Sequence, residues 1–290
     1  MIQDIFPKKL DNSYREEKAG PDDFLMLFDD GRLFLKYDET GGSLVFPKVS
    51  DENEAGALDG LIYLFSVNNE KYFLNNGFST KEKIKEKGYG CFTLREIRAF
   101  KTGCKDKVFA AYTAFHLWKW YEDNKFCGRC GAALVHDSTE ISGGKMLERA
   151  LCCLSCGNKI YPRINPAVII GITNGDKMVI TRYRRGYANN ALVAGFTEIG
   201  ETLEETVKRE VMEEVGLKVK NIKYYKSQPW GMAMDILAGF FCEVDGDDTI
   251  KMDESELKYA EWVEREKIEL QPSEYSLTNE MMKLFKESKR

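Results

Sequence analysis

Histidine is almost missing from this chain, with two residues in 290, His116 and His136. A Ser-His or Cys-His nucleophile mechanism needs an imidazole as its base, so that class of chemistry has little material here. His116 sits in an apolar helical stretch and reads as a core or interface residue, while His136 falls in a polar segment. No run of about 18 apolar residues occurs. The opening MIQDIFPKKLDNSYREEK also lacks an apolar h-region, so neither membrane insertion nor export is indicated and a cytoplasmic protein is expected. Charge of one sign is not in large excess: the formal net charge of -5 offers no general attraction to polyanions. Two segments are locally basic, KEKIKEK (Lys81 to Lys87), which reads as a solvated helix face, and RYRRGY (Arg182 to Tyr187).

What is present is enough apolar material, 43%, for sizeable cores, and a length beyond one average domain. Two or three domains are expected. Eight cysteines in a chain with no export signal argue for metal or free thiols more than for disulfides. Four of them form two CxxCG knuckles, Cys127-Gly-Arg-Cys130-Gly and Cys153-Leu-Ser-Cys156-Gly, separated by 22 residues. That spacing suits a closed, four-thiolate tetrahedral Zn2+ site, which is structural and not catalytic. Cys152 competes with Cys153 for the second knuckle, but only Cys153 keeps the CxxC interval. A redox CxxC would need one pair near a βαβ unit, a weaker match. Cys91, Cys104 and Cys242 lack such partners and read as small apolar residues.

Ahead of the knuckles, FLMLF (Phe24 to Phe28), RLFLKY (Arg32 to Tyr37) and GLIYLFSV (Gly60 to Val67) are strand-like runs broken by Asp-Gly and Gly-Gly turns. LREIRAF and the stretch Phe109 to Asn124 carry apolar residues at helical intervals. Between the knuckles HDSTEISGGK, with Gly143 and Gly144, reads as a hairpin tip. After them a buried strand is expected from Ala167 to Thr173, behind Pro162 and Pro166, and Asn174-Gly175 turns it into KMVITRYR. The fold class is therefore α+β, divided into a β-rich N-terminal domain (1–122), a zinc ribbon (123–160) and a C-terminal domain (161–290).

The C-terminal part contains the most informative segment, GFTEIGETLEETVKREVMEEVGL, residues 195–217. It reads as a Gly-led loop and a helix from Leu203 to Val215, stopped at Gly216. Glu210 and Glu214 share one helical face and Glu213 lies beside them. Like charges at i,i+4 cost roughly 0.2–0.5 kcal/mol per pair, and carboxylates near a helix C-terminus also oppose the macrodipole. A cation should compensate, and hard Mg2+ or Mn2+ ions take carboxylate oxygens and bridge to phosphates. A solvated acidic face paired with Lys208 and Arg209 is the alternative for such a cluster taken alone.

The spacing favours the metal. Gly195, five residues, Glu201, seven residues, Arg209-Glu210-Val211, one residue, Glu213-Glu214, one residue, Gly216-Leu217 meets every position of the Nudix box. The chain thus resembles the Nudix hydrolases, which cleave a nucleoside diphosphate linked to another moiety, and the resemblance implies an α/β/α sandwich with a mixed sheet. It also implies that Glu210 and Glu214 hold the catalytic metals with the Ala194 carbonyl, that Glu213 assists, and that Arg209 pairs with Glu201. With the ribbon, the YPRINPAVI segment and Ser227-Gln228-Pro229-Trp230, the order of parts is similar to the NADH pyrophosphatases of that superfamily. Members of that family open NAD(H) to AMP and a nicotinamide mononucleotide, and several remove NAD caps from RNA.

Carried over to this chain, the resemblance gives Tyr161 and Phe196 as aromatic faces for a base, with Phe196 reaching across a homodimer interface. Gln228, Pro229 and Trp230 belong to the specificity element, Trp230 on the nicotinamide side; Glu148 contacts substrate, and Glu256 is a further metal-linked glutamate. Glu256 and Glu213 both stand as candidates for the general base. One departure from the family pattern is clear: after Trp230 the usual PFPxS is replaced by Gly231-Met232-Ala233-Met234-Asp235. Asp235 either accepts from a carboxamide or repels phosphate and selects another group. Two other functions remain open: hydrolysis of ADP-ribose, a dinucleoside polyphosphate or NAD-capped RNA, and a nucleotide-sensing binding module, against which the complete set Glu210, Glu213 and Glu214 argues.

Overall fold

The structure, a computed structural model, describes residues 1–52, 60–75, 78–136, 140–141, 144–145, 148–186 and 188–288. Gly143 of the expected hairpin tip and Tyr187 of the basic RYRRGY lie outside the described residues. Chain contacts divide the protein into two compact units: Asp4–Arg163 with Gly231–Ala233, and Met1–Gln3, Ile164–Trp230 and Met234–Arg290.

The first unit is built on short strands: β1 (Leu10–Asp11), β2 (Phe24–Met26), β3 (Phe28–Asp29), β4 (Arg32–Tyr37), β5 (Leu44–Val45), β6 (Ile62–Val67), β7 (Glu70–Leu74) and β8 (Gly90–Phe92). They form two four-stranded sheets, one ordered β1-β6-β7-β2, the other β3-β4-β5 with β8 on β4. RLFLKY is β4 and GLIYLFSV contains β6, whereas FLMLF is divided at Leu27 into β2 and β3, which join different sheets, and the aromatics of these strands fill the interior. Phe65 and Tyr72 stack at 4.9 Å and Phe46 meets Tyr72 edge-on at 6.1 Å, in the offset and T-shaped arrangements that ring quadrupoles favour. Helix α1 (Phe78–Glu86) carries KEKIKE, with Lys87 in the turn after it, and it is more than a solvated face. Ile84 is fully buried, while Lys81 pairs with Asp29 and Lys87 with Asp51. Helix α2 (Leu94–Ala99) starts at a capping box between Thr93 and Glu96. Helix α3 (Lys105–Asp123) begins four residues before Phe109 and lays Phe115 and Trp118 on Phe28.

After α3 come β9 (Leu134–His136), β10 (Glu140–Ile141), β11 (Gly144–Lys145), β12 (Leu151–Cys153) and β13 (Lys159–Ile160), with a three-stranded sheet ordered β13-β12-β9. The two knuckles repeat one hydrogen-bond pattern. Cys127 N–H donates to Ala132 O as Cys153 N–H does to Asn158 O, and Gly131 and Gly157 each donate back to the first cysteine of their knuckle.

The second unit is one mixed six-stranded sheet between two helices. Its elements are β14 (Asn165–Asn174), β15 (Lys177–Tyr183), β16 (Val193–Phe196), α4 (Leu203–Val215), β17 (Val219–Trp230), β18 (Asp235–Val244), β19 (Leu257–Glu264) and α5 (Leu277–Glu287). Strand order is β17-β18-β14-β15-β19 with β16 on β14, and β14 runs parallel to β18 while its other partners are antiparallel. Strand β14 is apolar on both faces because both are covered. Val168, Ile170 and Ile172 face Val207, Val211 and Val215 of α4. Ile169 joins Met178 and Ile180 against Met281, Met282 and Phe285 of α5. Burying each such side chain contributes about 1.5–3 kcal/mol. Helix α4 has a Thr202–Glu205 capping box at its start, and Gly216, at φ 68°, ends it in the left-handed conformation expected of a C-cap glycine. The sandwich thus holds α4 with its valines down and its glutamates toward the loop before it.

Candidate metal-dependent active site

Arg209 organises the loop that precedes α4. Its guanidinium donates to both oxygens of Glu201 (2.6 and 2.9 Å), to Glu210 (2.7 Å), to Glu213 (2.9 Å) and to the Phe196 carbonyl (2.9 Å). Five N–H groups meet five acceptors, which is the full capacity of an arginine. The same guanidinium holds Glu201 down at about 2. Glu213 remains the most exposed of the group, its side chain 59% accessible.

Glu210 lies against Gly195. A Cβ on Gly195 would stand about 2 Å from the Glu210 carboxylate, so the space a side chain would fill is occupied by that carboxylate. Burial raises Glu210, against the pull of Arg209. Glu214, one helical turn on, is only 2% exposed. It accepts from the Ala194 N–H at 3.4 Å and from the Tyr183 hydroxyl at 3.3 Å. Burial, reinforced by the like charges of Glu210 and Glu256 and only partly offset by the Ala194 N–H, pushes Glu214 up to about 8. Glu256 is exposed, immediately before β19, with its carbonyl accepting from Arg184 N–H. Its charge acts on both Glu210 and Glu214, so a residue more than forty positions from α4 in sequence joins the same field.

A carboxylate made costly to ionise by burial and, beyond that, by two neighbouring carboxylates fits a hard divalent cation, which would restore the charge at low cost. The glutamates are spread more widely than the thiols. Among the described residues, Cys127, Cys130, Cys153 and Cys156 form the one group whose ligand atoms all lie within 4.8 Å of one another. Their Sγ atoms approach to 3.4 Å (Cys130–Cys153) and 3.7 Å (Cys127–Cys156). Tetrahedral Zn–S bonds of about 2.3 Å imply sulfur separations near those values. The Arg129 backbone N–H, ahead of that of Cys130, lowers Cys127 to about 6, and the N–H of Cys156 lowers Cys153, so the first cysteine of each knuckle favours thiolate, whereas Cys130 and Cys156 are raised by their sulfur neighbours. Cys152 is outside the group, which resolves the choice between the adjacent cysteines in favour of Cys153. All eight cysteines are free thiols, Cys242 buried in the sheet core and Cys91 and Cys104 half-buried.

The remaining candidates fall into two sets. In the first unit Tyr161 is exposed and donates to Glu148 at 2.9 Å, so those two residues are brought together. His116 bonds the Arg163 carbonyl (2.7 Å), and the His136 ring lies tilted against Tyr121 at 5.4 Å. In the second unit Phe196 is 53% exposed at the end of β16, and Trp230 ends β17 directly across from Asp235, with Pro229 opposite Ile236. Asp235 is buried against the side-chain amide of Asn165 (3.4 Å), and that burial raises it to about 6. Gln228 faces inward: its NH2 donates to the Tyr275 carbonyl (2.6 Å), and its oxygen accepts from Leu277 N–H at the start of α5. Tyr183 is the residue beside the carboxylates that no motif identifies. The only trace in sequence is period-2 spacing, which puts it on the face of β15 that Val179 shares.

Residues 163–285 match the NUDIX domain, so this sandwich is a Nudix domain. Over 159 residues the chain is 40% identical to the NAD-capped RNA hydrolase NudC of Enterobacter sp. (strain 638), across 54% of this chain and 57% of that protein. It is 38% identical to the NudC of Shigella flexneri, across 54% and 58%. The chain is similar to these NudC proteins, and it spans a little over half of their length. A NUDIX hydrolase crystal structure from Nitrosomonas europaea overlays at TM-score 0.47 and 21% identity, over 56% of this chain and 90% of that one. Among the described residues no helix is long and apolar enough to cross a membrane.

Proposed function

We propose that the protein is a metal-dependent Nudix hydrolase that opens NAD(H) at its central pyrophosphate, giving AMP and NMN(H), and that NAD-capped RNA is cut by the same chemistry. The observation that carries this reading is Glu214, buried beside Glu210 and under the charge of Glu256, in a domain whose relatives bear the name NAD-capped RNA hydrolase. Glu210, Glu214, Glu256 and the Ala194 carbonyl would hold Mg2+ or Mn2+. Such ions, when bound, neutralise the pyrophosphate and acidify a water for in-line attack. The chain's own part is to fix those oxygens through Arg209 and α4 and to accept the proton. Glu213, with one carboxylate oxygen on Arg209, and Glu256 are the two candidates for that acceptor. Within the Nudix unit Phe196 and Trp230 supply faces for the bases, with Gln228 and Pro229 shaping their surroundings; within the first unit the hydrogen-bonded pair Tyr161 and Glu148 is a separate candidate platform. The exposed Phe196 and Ile199 of the box loop support a homodimer. The four thiols hold a structural Zn2+ in the ribbon at 123–160, between the β-rich part (1–122) and the hydrolase (161–290), and a cytoplasmic location agrees with eight free thiols.

A substrate panel with product masses tests the reading. AMP plus NMNH from NADH supports it; hydrolysis confined to ADP-ribose sinks it. Asp235→Ala should raise KM for NADH about tenfold or more, and for ADP-ribose less, if Asp235 accepts from the nicotinamide carboxamide in a charge-assisted bond of about 1.5–3 kcal/mol. For the wild type, KM for NADH should climb as pH falls through about 6, where Asp235 takes up its proton. Equal effects of the substitution on both substrates would remove Asp235 from recognition.

Gly195→Ala is expected to lower Tm modestly, since the nearest atoms that the added methyl meets are the end of the Glu210 side chain, which can turn away at the loss of its bond to Arg209. Turnover should nonetheless fall on the order of 100-fold, because a ligand displaced by about 1 Å costs that much. Melting curves and initial rates on the same preparation separate the two effects, and normal rates would mean that Glu210 works from another position.

A further inference from the structure

Tyr183 ends β15 with its ring packed into the core cluster that α4 covers, so the ring cannot follow a moving partner. Its hydroxyl lies 3.3 Å from Glu214 Oε1, 3.5 Å from Oε2 and 3.4 Å from the Leu192 carbonyl. A tyrosine hydroxyl carries one hydrogen, and only one of these acceptors can take it at a time. A carboxylate, the form Glu214 takes with a cation bound, is the stronger acceptor and Oε1 is also the nearer atom, so the hydrogen then goes to Glu214. The Ala194 N–H, 3.4 Å away, converges on the same Oε1. Two donors, one from β15 and one from β16, therefore hold one oxygen of this buried carboxylate, and Oε2 is left with the single, longer approach of Tyr183.

We propose that Tyr183 is a positioning residue for the divalent-cation site: together with the Ala194 N–H it fixes the rotation of the Glu214 carboxylate, so that Oε2 is presented to the cation. The inference rests on the metal site of the function proposed above. It concerns cation binding alone, and so can be separated from the choice of substrate. Hydrogen bonds that orient a ligand commonly govern metal affinity by 10–100-fold.

The test is Mn2+ binding to the full chain, with ribbon zinc retained and no nucleotide present, read by electron paramagnetic resonance. Tyr183→Phe keeps the ring and removes only the hydroxyl. It should raise the Kd for Mn2+ by about tenfold or more with Tm unchanged, and excess Mn2+ should restore kcat. In a Glu214→Gln background the same change should add nothing, because the oriented carboxylate is already gone. A change in Kd below twofold in the single variant, or an equal further loss in the Glu214→Gln background, overturns the proposal. A wild type that binds Mn2+ but leaves NADH intact, with Tyr183→Phe still weakening the ion, would refute the substrate assignment and uphold the role of Tyr183.

Discussion

Glu214→Gln is expected to cut Mg2+-dependent turnover of NADH by about 100-fold or more, and at the same time to make the protein more stable when measured without Mg2+ or Mn2+. The catalytic loss follows from removing the charge of a cation ligand at the place where charge develops in the transition state. The stability gain follows from linkage. Burial raises the folded-state Glu214 to about 8 from an ordinary 4.5, so between those values the folded chain holds a proton that the unfolded chain has released. Stability therefore falls as pH rises across that window, with a slope of roughly 1.4 kcal/mol per pH unit at most. The penalty is absent below 4.5 and complete above 8. Glutamine cannot ionise, and its variant should show a flatter profile. Melting temperatures at about pH 6 and pH 8.5 in Mg2+-free buffer, with zinc retained, together with initial rates, check both halves. Near-normal rates in the variant would exclude the proposed site.

The second large effect concerns the ribbon. Cys130→Ser removes one of four thiols drawn within 4.8 Å of one another, and the protein should then lose its bound zinc and the folding free energy that a structural ion contributes. Cys152→Ser serves as the control, because Cys152 lies outside the cluster and its replacement should leave zinc content intact. Elemental analysis of wild type and both variants, with thermal melts, measures this. Wild-type protein containing no zinc would refute the assignment.

How much of this was legible in the sequence depended on distance along the chain. Helix α4 could be read almost residue for residue, because its valines at i,i+4 and its Gly216 stop are local. The pairing of Arg209 with Glu201 was equally readable, since both lie within the box. The start of α3 at Lys105 was not, because Cys104 makes no side-chain cap there and so gave no start signal. Gln228 belongs to a motif that suggests recognition, yet its amide joins β17 to Tyr275 and the beginning of α5, about fifty residues later. Tyr183 meets Glu214 across 31 residues, by a bulge and a β15–α4 packing that no local pattern encodes. Local periodicity gave the elements and the box spacing gave the carboxylates; the contacts that orient them come from the sheet.

The position of Glu214 also has an evolutionary consequence. A lineage under no selection for hydrolysis can replace this buried acid with a neutral residue and gain stability in doing so, since most proteins sit close to the stability threshold that selection maintains. Loss of catalysis is then the downhill path, and silent descendants of this domain should arise more easily by change at Glu214 than at the exposed Glu213 or Glu256, where no burial penalty would be relieved.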